Sequence, residues 1–429
     1  MFFIDKVEID GFWGNKTINA NFFTDVNCFI GKNGTGKTTF INILQAILSV
    51  DIRNIIELPF DSATIILKSK NNNRRKISVK FDDNIIGFNT VKYKIGNKTY
   101  EVPYFLKSFQ YDNNRFTAKI EGIVNKIKSE MSELINLTTI SVHRDQSEYG
   151  NSSEFRKRTN LTNQAPIDIR LEQLVNRLAR YQLTISEEAN KLLSNFQKQV
   201  LLSIIYDEDF DSFNWDSEIN VELRKERDGL IAAYKDLDIL DDDTSRKIDN
   251  HITVLSKGVR KLNSLKRNPS NSDIRITVDD IFPVPLIKRT QHIVSLSKKL
   301  QDDKKNIFSH IAKFINILTG FIEDKNFEFD SSGDLIAKIN GREIKISELS
   351  SGEKQILVFL IETLLQENKP FIFIADEPEL SLHIEWQAKL LSSINKINNN
   401  SQIIVATHSP EIVGSWAENI KQMEVIVDE

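Results

Sequence analysis

One cysteine, Cys28, stands in a chain of 429 residues. A single thiol excludes an intramolecular disulfide framework and any multi-cysteine zinc site built within one chain. Glycine is sparse, at 16 residues, which excludes collagenous or glycine-repeat architectures. No apolar run approaches the roughly 20 residues a membrane helix needs, and the longest, Ile356–Ile361, stops at Glu362. The opening residues bring charge at Asp5 and Lys6 before any sustained apolar stretch, so they do not have the layout of a signal peptide. A soluble, cytoplasmic protein without a membrane partner is expected. Neither sign of charge is in excess: 56 Lys and Arg face 60 Asp and Glu, for a net charge of −4. That excludes a strongly basic nucleic-acid coat and leaves room for local basic patches. What is present is 40% apolar and 27% charged residues, the balance of a globular chain with a sizeable core, long enough for two or three domains.

The pattern along the chain changes twice. Residues 1–150 carry short alternating runs, among them Phe2–Ile9, Lys16–Phe22, Ala63–Leu67, Lys76–Phe81 and Val91–Ile95, with Gly96-Asn97 as a hairpin turn. Residues 151–325 turn helical: Leu171, Leu174, Leu178, Tyr181 and Ile185 recur every three or four positions, and further helices are expected around Ile248–Leu265 and Ile293–Ile317. Residues 326–429 return to alternating strands and helices. An α/β domain split by a helical insertion is the expected organisation.

The strongest local pattern is Gly31-Lys32-Asn33-Gly34-Thr35-Gly36-Lys37-Thr38, which fits G-x-x-x-x-G-K-[ST]. It follows the apolar strand Val26–Ile30 and opens a helix over Thr39–Leu48 whose Phe40, Ile41, Leu44 and Ile47 share one face. That context is the one a phosphate-binding loop requires. Backbone N–H groups from Asn33 through Thr39 would curl around phosphate oxygens, reinforced by the helix N-terminus. Lys37 would reach the β- and γ-phosphates of ATP, and the Thr38 hydroxyl would ligate Mg²⁺.

Such a loop needs an acid to hold the metal. Phe371-Ile372-Phe373-Ile374-Ala375 reads as a buried strand ending in Asp376-Glu377. Carboxylates at the end of a buried strand are tolerated where they meet charge or water. Asp376 is assigned to the Mg²⁺ shell and Glu377 to the general base that polarises the attacking water. A second apolar strand, Ile403–Ala406, leads into Thr407-His408-Ser409. Neighbouring parallel strands present their C-terminal ends to one crevice, so His408 is expected to meet the γ-phosphate.

Upstream of the acidic strand, Leu349-Ser350-Ser351-Gly352-Glu353-Lys354-Gln355 precedes an apolar helix. Taken in order, the phosphate loop, the Ser-Ser-Gly turn, the acidic strand and Thr-His-Ser resemble the heads of ABC-type ATPases. The resemblance implies a P-loop NTPase fold with an antiparallel β subdomain. It also implies a head-to-tail homodimer, or higher oligomer, sandwiching ATP, in which Ser350, Ser351 and Gly352 complete the nucleotide site of the second copy. Ser351 departs from the glycine many ABC proteins carry. The strings Asp376-Glu377-Pro378-Glu379-Leu380-Ser381-Leu382-His383 and Ala406–Pro410 look like the RecF/SMC-like and OLD-like class of DNA-metabolism and anti-phage ATPases. The opening Val7–Phe12 is similar to that class too. Within it, Gln146 is a candidate for the glutamine linking nucleotide to the helical lobe.

The long separation of Lys37 from Ser350 disfavours a transporter motor, and the lone cysteine excludes a zinc-hook repair ATPase. The short insertion excludes a long coiled-coil arm. Too little chain follows His408 for a nuclease domain, and His143, His251, His292, His310 and His383 show no metal-ligand spacing. The chain thus resembles the standalone ATPase subunits of two-gene phage-defence systems, PARIS first and Septu second. These act with a separately encoded effector, and for this chain the resemblance implies such an effector and a trigger that is non-specific DNA or a phage protein. The alternative is a RecF-like repair ATPase that binds DNA; a third reading is a scaffold that binds ATP without turnover. Basic clusters at Lys68, Lys70, Arg74, Arg75 and Lys76, at Arg156, Lys157 and Arg158, and at Lys257, Arg260, Lys261, Lys266 and Arg267 are candidate phosphate-backbone contacts.

Overall fold

The computed structural model describes residues 1–82, 89–104, 114–141, 165–205, 222–267, 277 and 286–428. The chain begins with strands β1 (Phe2–Phe12), β2 (Lys16–Asn21) and β3 (Val26–Ile30), then helices α1 (Lys37–Ser49) and α2 (Ile52–Glu57). Strands β4 (Ser62–Ser69), β5 (Arg74–Asp82), β6 (Asn89–Ile95) and β7 (Lys98–Tyr104) precede helix α3 (Asn114–Leu134) and strand β8 (Leu137–Ser141). Among the described residues the helices α4 (Pro166–Leu202), α5 (Leu223–Asp236), α6 (Asp242–Arg267) and α7 (Leu286–Phe321) come next. Strands β9 (Asn326–Phe329), β10 (Leu335–Ile339) and β11 (Arg342–Ile344) lead to helix α8 (Ser351–Leu364) and strand β12 (Phe371–Asp376). Helix α9 (Ile384–Ile397), strand β13 (Ser401–Ala406), helix α10 (Pro410–Val413), strand β14 (Ile420–Gln422), helix α11 (Met423–Ile426) and strand β15 (Val427–Asp428) complete it.

Two compact units emerge: Met1–Ala179 with Lys313–Glu429, and Arg180–Ala312. The first is mixed α/β. Its five-stranded sheet has the order β14-β3-β13-β12-β8, and every pairing is parallel. Parallel strands covered on both faces read as continuous apolar runs, which is why Phe371–Ala375 and Ile403–Ala406 are buried residue after residue. The second sheet is antiparallel, β15-β2-β1-β4-β5-β6-β7, a meander over much of its width. Its strands alternate, as sheets with one wet face do: β5 buries Ile77 and Val79 and leaves Lys76 and Lys80 exposed. The Gly96-Asn97 turn joins β6 to β7 with Ile95 opposite Lys98.

Helix α1 lies in an apolar cluster drawn from both sheets, its Ile41, Leu44 and Ile47 buried with Ile372, Ile374 and Ile404 of the parallel sheet and Ile65, Val79 and Tyr93 of the antiparallel one. A buried amide ties the layers: Gln402 on β13 donates to the carbonyls of Ile4 (2.8 Å) and Phe23 (2.7 Å) and accepts from Ile4 N–H (2.8 Å). With its amide groups paired, the side chain escapes the cost of an unpaired buried polar group. The three-stranded sheet β11-β10-β9 has strands of only three to five residues, too short to carry a periodic pattern in the sequence. In the second unit, Phe196 of α4, Ala233 of α5 and Leu300 of α7 form a small core. Helices α4 and α7 run 37 and 36 residues, longer than the periodic stretches that announced them. Among the described residues no helix is long and apolar enough to cross a membrane.

Candidate functional site

The phosphate loop sits at the C-terminal end of β3, where α1 begins. Gly34 and Gly36 hold φ of 80° and 96°, a backbone region costly for residues with a Cβ. A Cβ at Gly36 would also lie 2.7 Å from the Phe12 ring. Lys37 is buried and folds back over its own loop, donating to the carbonyls of Gly31 (2.8 Å) and Lys32 (3.0 Å). Burial lowers its pKa below the ordinary lysine value, opposed by the carboxylates of Glu424, Glu377, Asp376 and Glu379. The ring of acids counters the desolvation that would otherwise favour the neutral amine.

The Thr38 hydroxyl donates to Asp376 Oδ1 at 3.3 Å, so residues 338 positions apart in sequence present two oxygens to one point. Hard oxygen donors, few in number and set beside a phosphate loop, suit Mg²⁺, which keeps waters and takes the rest of its shell from substrate phosphates. Among the described residues no cluster of three His, Cys, Asp or Glu forms a ready-made cage for a metal, so the Thr38–Asp376 pair is the candidate. Glu377 follows with φ of 49°, its N–H donating to Ala406 O (2.8 Å). A positive φ at a non-glycine residue costs about 1–3 kcal/mol and clusters at functional sites. His408 Nε2 lies 3.9 Å from Glu377 Oε1, beyond direct hydrogen-bond reach.

Lys37, Thr38, Glu377 and His408 line one cavity of about 680 Å³ together with Trp13, Asn33, Gly34, Gly36, Thr39, Glu379 and Leu380; Asp376 is not among its lining residues and meets it through Thr38. The structure thus brings the sequence-assigned phosphate-loop residues together with Glu377 and His408. Thr35 turns away, its hydroxyl donating to Lys32 O (2.9 Å).

The turn Ser350-Ser351-Gly352 is not part of that cavity in the same chain. Ser350 and Ser351 are exposed at the start of α8. Ser350 caps α8 with a full capping box: its hydroxyl meets Glu353 N–H at 3.4 Å, and Glu353 Oε2 accepts from Ser350 N–H at 2.7 Å. Lys325 holds Glu353 from the other side at 2.6 Å. Gly352 is buried, and a Cβ there would lie 2.6 Å from the Ser381 carbonyl oxygen. Gln146 and the Arg156-Lys157-Arg158 cluster lie outside the described residues, as do the side chains of Lys266 and Arg267. In the first basic cluster Lys70, Arg74, Arg75 and Lys76 are exposed; Lys70 donates to Asn400 (2.7 Å) and Arg74 pairs with Asp5 (3.2 Å).

Three site residues went unassigned in the sequence reading. Trp13 lines the cavity with φ of 54°, its ring stacked on Phe12 at 4.9 Å between centroids. Glu379 joins the cavity from the acidic loop, where its place two residues past Glu377 was the available signal. Glu424 accepts from Lys32 N–H at 2.9 Å across 392 positions, and no local pattern marked it. Cys28 is buried in β3, its thiol pushed up to about 12 by burial, so its thiolate is absent at neutral pH.

The fold and loop define a P-loop ATPase domain of mixed α/β type. A family model described as "AAA ATPase domain" matches residues 2–413, and the chain belongs to that family. Three similar proteins carry retron or Septu names. "Retron Vc95 probable ATPase" of Vibrio cholerae is 21% identical over 91% of this chain and 67% of its own length. "Septu protein PtuA" of Bacillus thuringiensis is 26% identical over 37% of this chain and 45% of its own. "Retron Ec83 probable ATPase" of Escherichia coli is 37% identical, over 18% of this chain and 17% of that protein. The chain's matches therefore span less than half the length of the latter two.

Proposed function

We propose that the chain binds and hydrolyses ATP with Mg²⁺ and that the resulting switch controls a separately encoded effector, a nuclease or toxin, in anti-phage defence. The observation that carries the catalytic half is the convergence of Lys37, Thr38, Glu377 and His408 on one cavity, with Asp376 hydrogen-bonded to Thr38 at its edge. Thr38 and Asp376 would hold the metal, which neutralises developing phosphate charge when bound. Lys37 leaves its two carbonyl partners to meet the β- and γ-phosphate oxygens. Glu377 accepts a proton from the attacking water, and His408, facing it at 3.9 Å, orients the γ-phosphate.

Ser350 and Ser351 stand exposed and outside the cavity of their own chain, which supports a head-to-tail pair in which they face the second copy's nucleotide. A cytoplasmic setting suits this reading. The defence half draws on likeness to retron and Septu proteins. The exposed basic turn between β4 and β5 supports a second reading, a RecF-like ATPase that binds DNA when ATP is bound.

Glu377→Gln separates these readings from a non-hydrolysing scaffold. It is expected to slow phosphate release about 10²- to 10⁴-fold while nucleotide binding stays within about threefold of the parent. Release at the parent rate, or no release by the parent above a Lys37→Ala background, would sink the hydrolytic assignment. ATP-dependent, salt-sensitive retention of duplex DNA by the parent would favour the second reading over the first.

A further inference from the structure

Glu379 has more partners than its position on the rim of the cavity requires. Its Oε1 accepts from the Thr407 hydroxyl (2.8 Å), His408 N–H (2.7 Å) and Ser409 N–H (3.2 Å). All three donors belong to the segment that leaves β13, while Glu379 belongs to the loop that leaves β12. A second tie runs beside it: Gln387 donates to Leu382 O (2.9 Å) and accepts from the Ser409 hydroxyl (2.7 Å). Glu379 Oε2 is buried and has no hydrogen-bond partner among the described residues. A carboxylate is the group suited to gather three donors on one oxygen, because charge-assisted hydrogen bonds are roughly twice as strong as neutral ones.

Resting on the ATPase reading above, we infer that Glu379 is a positioning residue for His408. Its carboxylate clamps the Thr407 hydroxyl and the backbone N–H groups of His408 and Ser409 to the acidic loop and so sets the imidazole at its 3.9 Å distance from Glu377. Without the clamp, among the described residues the two loops beyond the strand ends are joined by the Gln387 tie alone, which holds Ser409 and leaves the His408 backbone unanchored. An error of about 1 Å in such a group is enough to cost on the order of 10²-fold in rate. The fold places the clamp where Glu377 and His408 must act together, and neither residue can supply it.

Two readouts test this. The first is turnover in a double-mutant cycle. Glu379→Ala is expected to lower kcat about 10- to 100-fold with ATP affinity within about threefold of the parent. Added to His408→Ala it should cost less than about twofold more, since both act through one group. Glu379→Gln, which keeps an acceptor oxygen, should recover most of the loss. The second readout needs no turnover: in histidine-labelled protein without nucleotide, the His408 ring resonance should shift or broaden in Glu379→Ala, with melting temperature near the parent's. If Glu379→Ala misfolds, the same resonance and the same cycle are read in Glu379→Leu, which fills the space and has no acceptor. Additive losses in the cycle, a main effect on ATP affinity, or an unmoved His408 resonance would each overturn the assignment. Failure of the ATPase reading itself would show separately, as parent turnover no faster than Lys37→Ala, and the resonance would still decide the clamp.

Discussion

Two helices in this molecule begin at a glycine-containing polar turn, and they begin differently. Helix α1 starts at Gly36, which has no side chain to cap the helix and sits at φ 96°. Helix α8 starts at Ser350, whose hydroxyl and Glu353 satisfy each other's backbone in a capping box. Helix starts leave N–H groups in search of an acceptor. At α1 the first-turn residues Lys37, Thr38 and Thr39 line a cavity and no side chain of the cap answers their N–H groups, which is the arrangement an anion site needs. At α8 the chain supplies its own acceptor. The glycines differ as well: Gly36 is demanded by backbone conformation, Gly352 by close contact with Ser381 O. Similar strings at two helix starts thus mean an open anion site in one place and a packed joint with an exposed serine in the other.

The strongest way to break this comparison is Gly36→Ala. Its Cβ meets both an unfavourable φ and the Phe12 ring at 2.7 Å. A loss of about 2 kcal/mol in stability is expected, with ATP affinity down at least about tenfold by titration calorimetry. An unchanged affinity would show that α1's start is not the anion site. Gly352→Ala should cost about 1–3 kcal/mol in denaturant unfolding, because the clash is with backbone that cannot rotate away. A single chain's ATP affinity should stay near the parent's, whereas turnover should fall as Ser381 and the acidic loop shift.

The smallest effect sharpens the contrast from beneath the phosphate loop. Lys421 on β14, beside Phe29 of β3, is lowered to about 8 by burial, and its ammonium lies 4.1 Å from the centroid of the Phe23 ring. A lysine whose folded pKa is depressed destabilises the fold while both states are charged. That cost is fully present below about pH 8 and is relieved as pH rises toward the ordinary lysine value. Lys421→Met keeps an apolar stem over Phe23 and should therefore melt higher than the parent at pH 7. The gap should narrow between pH 8 and 10.5 in scanning calorimetry. A gap that ignores pH would mean the ammonium is not desolvated.

Much of the site was legible because its parts are contiguous. Gly31–Thr38, Phe371–Glu377 and Ile403–Ser409 are each a strand followed by a turn, and parallel pairing of β3, β13 and β12 brings their ends together. The neighbouring strand order follows from burial, since strands apolar on both faces belong in the middle of a covered sheet. Gln402 was not legible as the tie between layers, nor was Glu362, a side chain with 3% exposure that pairs with Arg170 and Arg177 of α4. Those partners lie far along the chain, and a buried glutamate looks the same in sequence as an exposed one until its cation is found.

By itself the sequence determined the class of protein and the chemistry of its loops, because a phosphate loop, an acidic strand end and their periodic flanks are local patterns fixed by backbone geometry. Only the tertiary structure decided which of the two glycine turns faces the cavity of its own chain. It also decided that Glu379 binds the His408 segment and that Glu424 leans on Lys32 N–H. Those outcomes depend on hydrogen bonds between residues 29 and 392 positions apart. A charge and its partner reveal each other's role only once the strands between them have closed into one sheet.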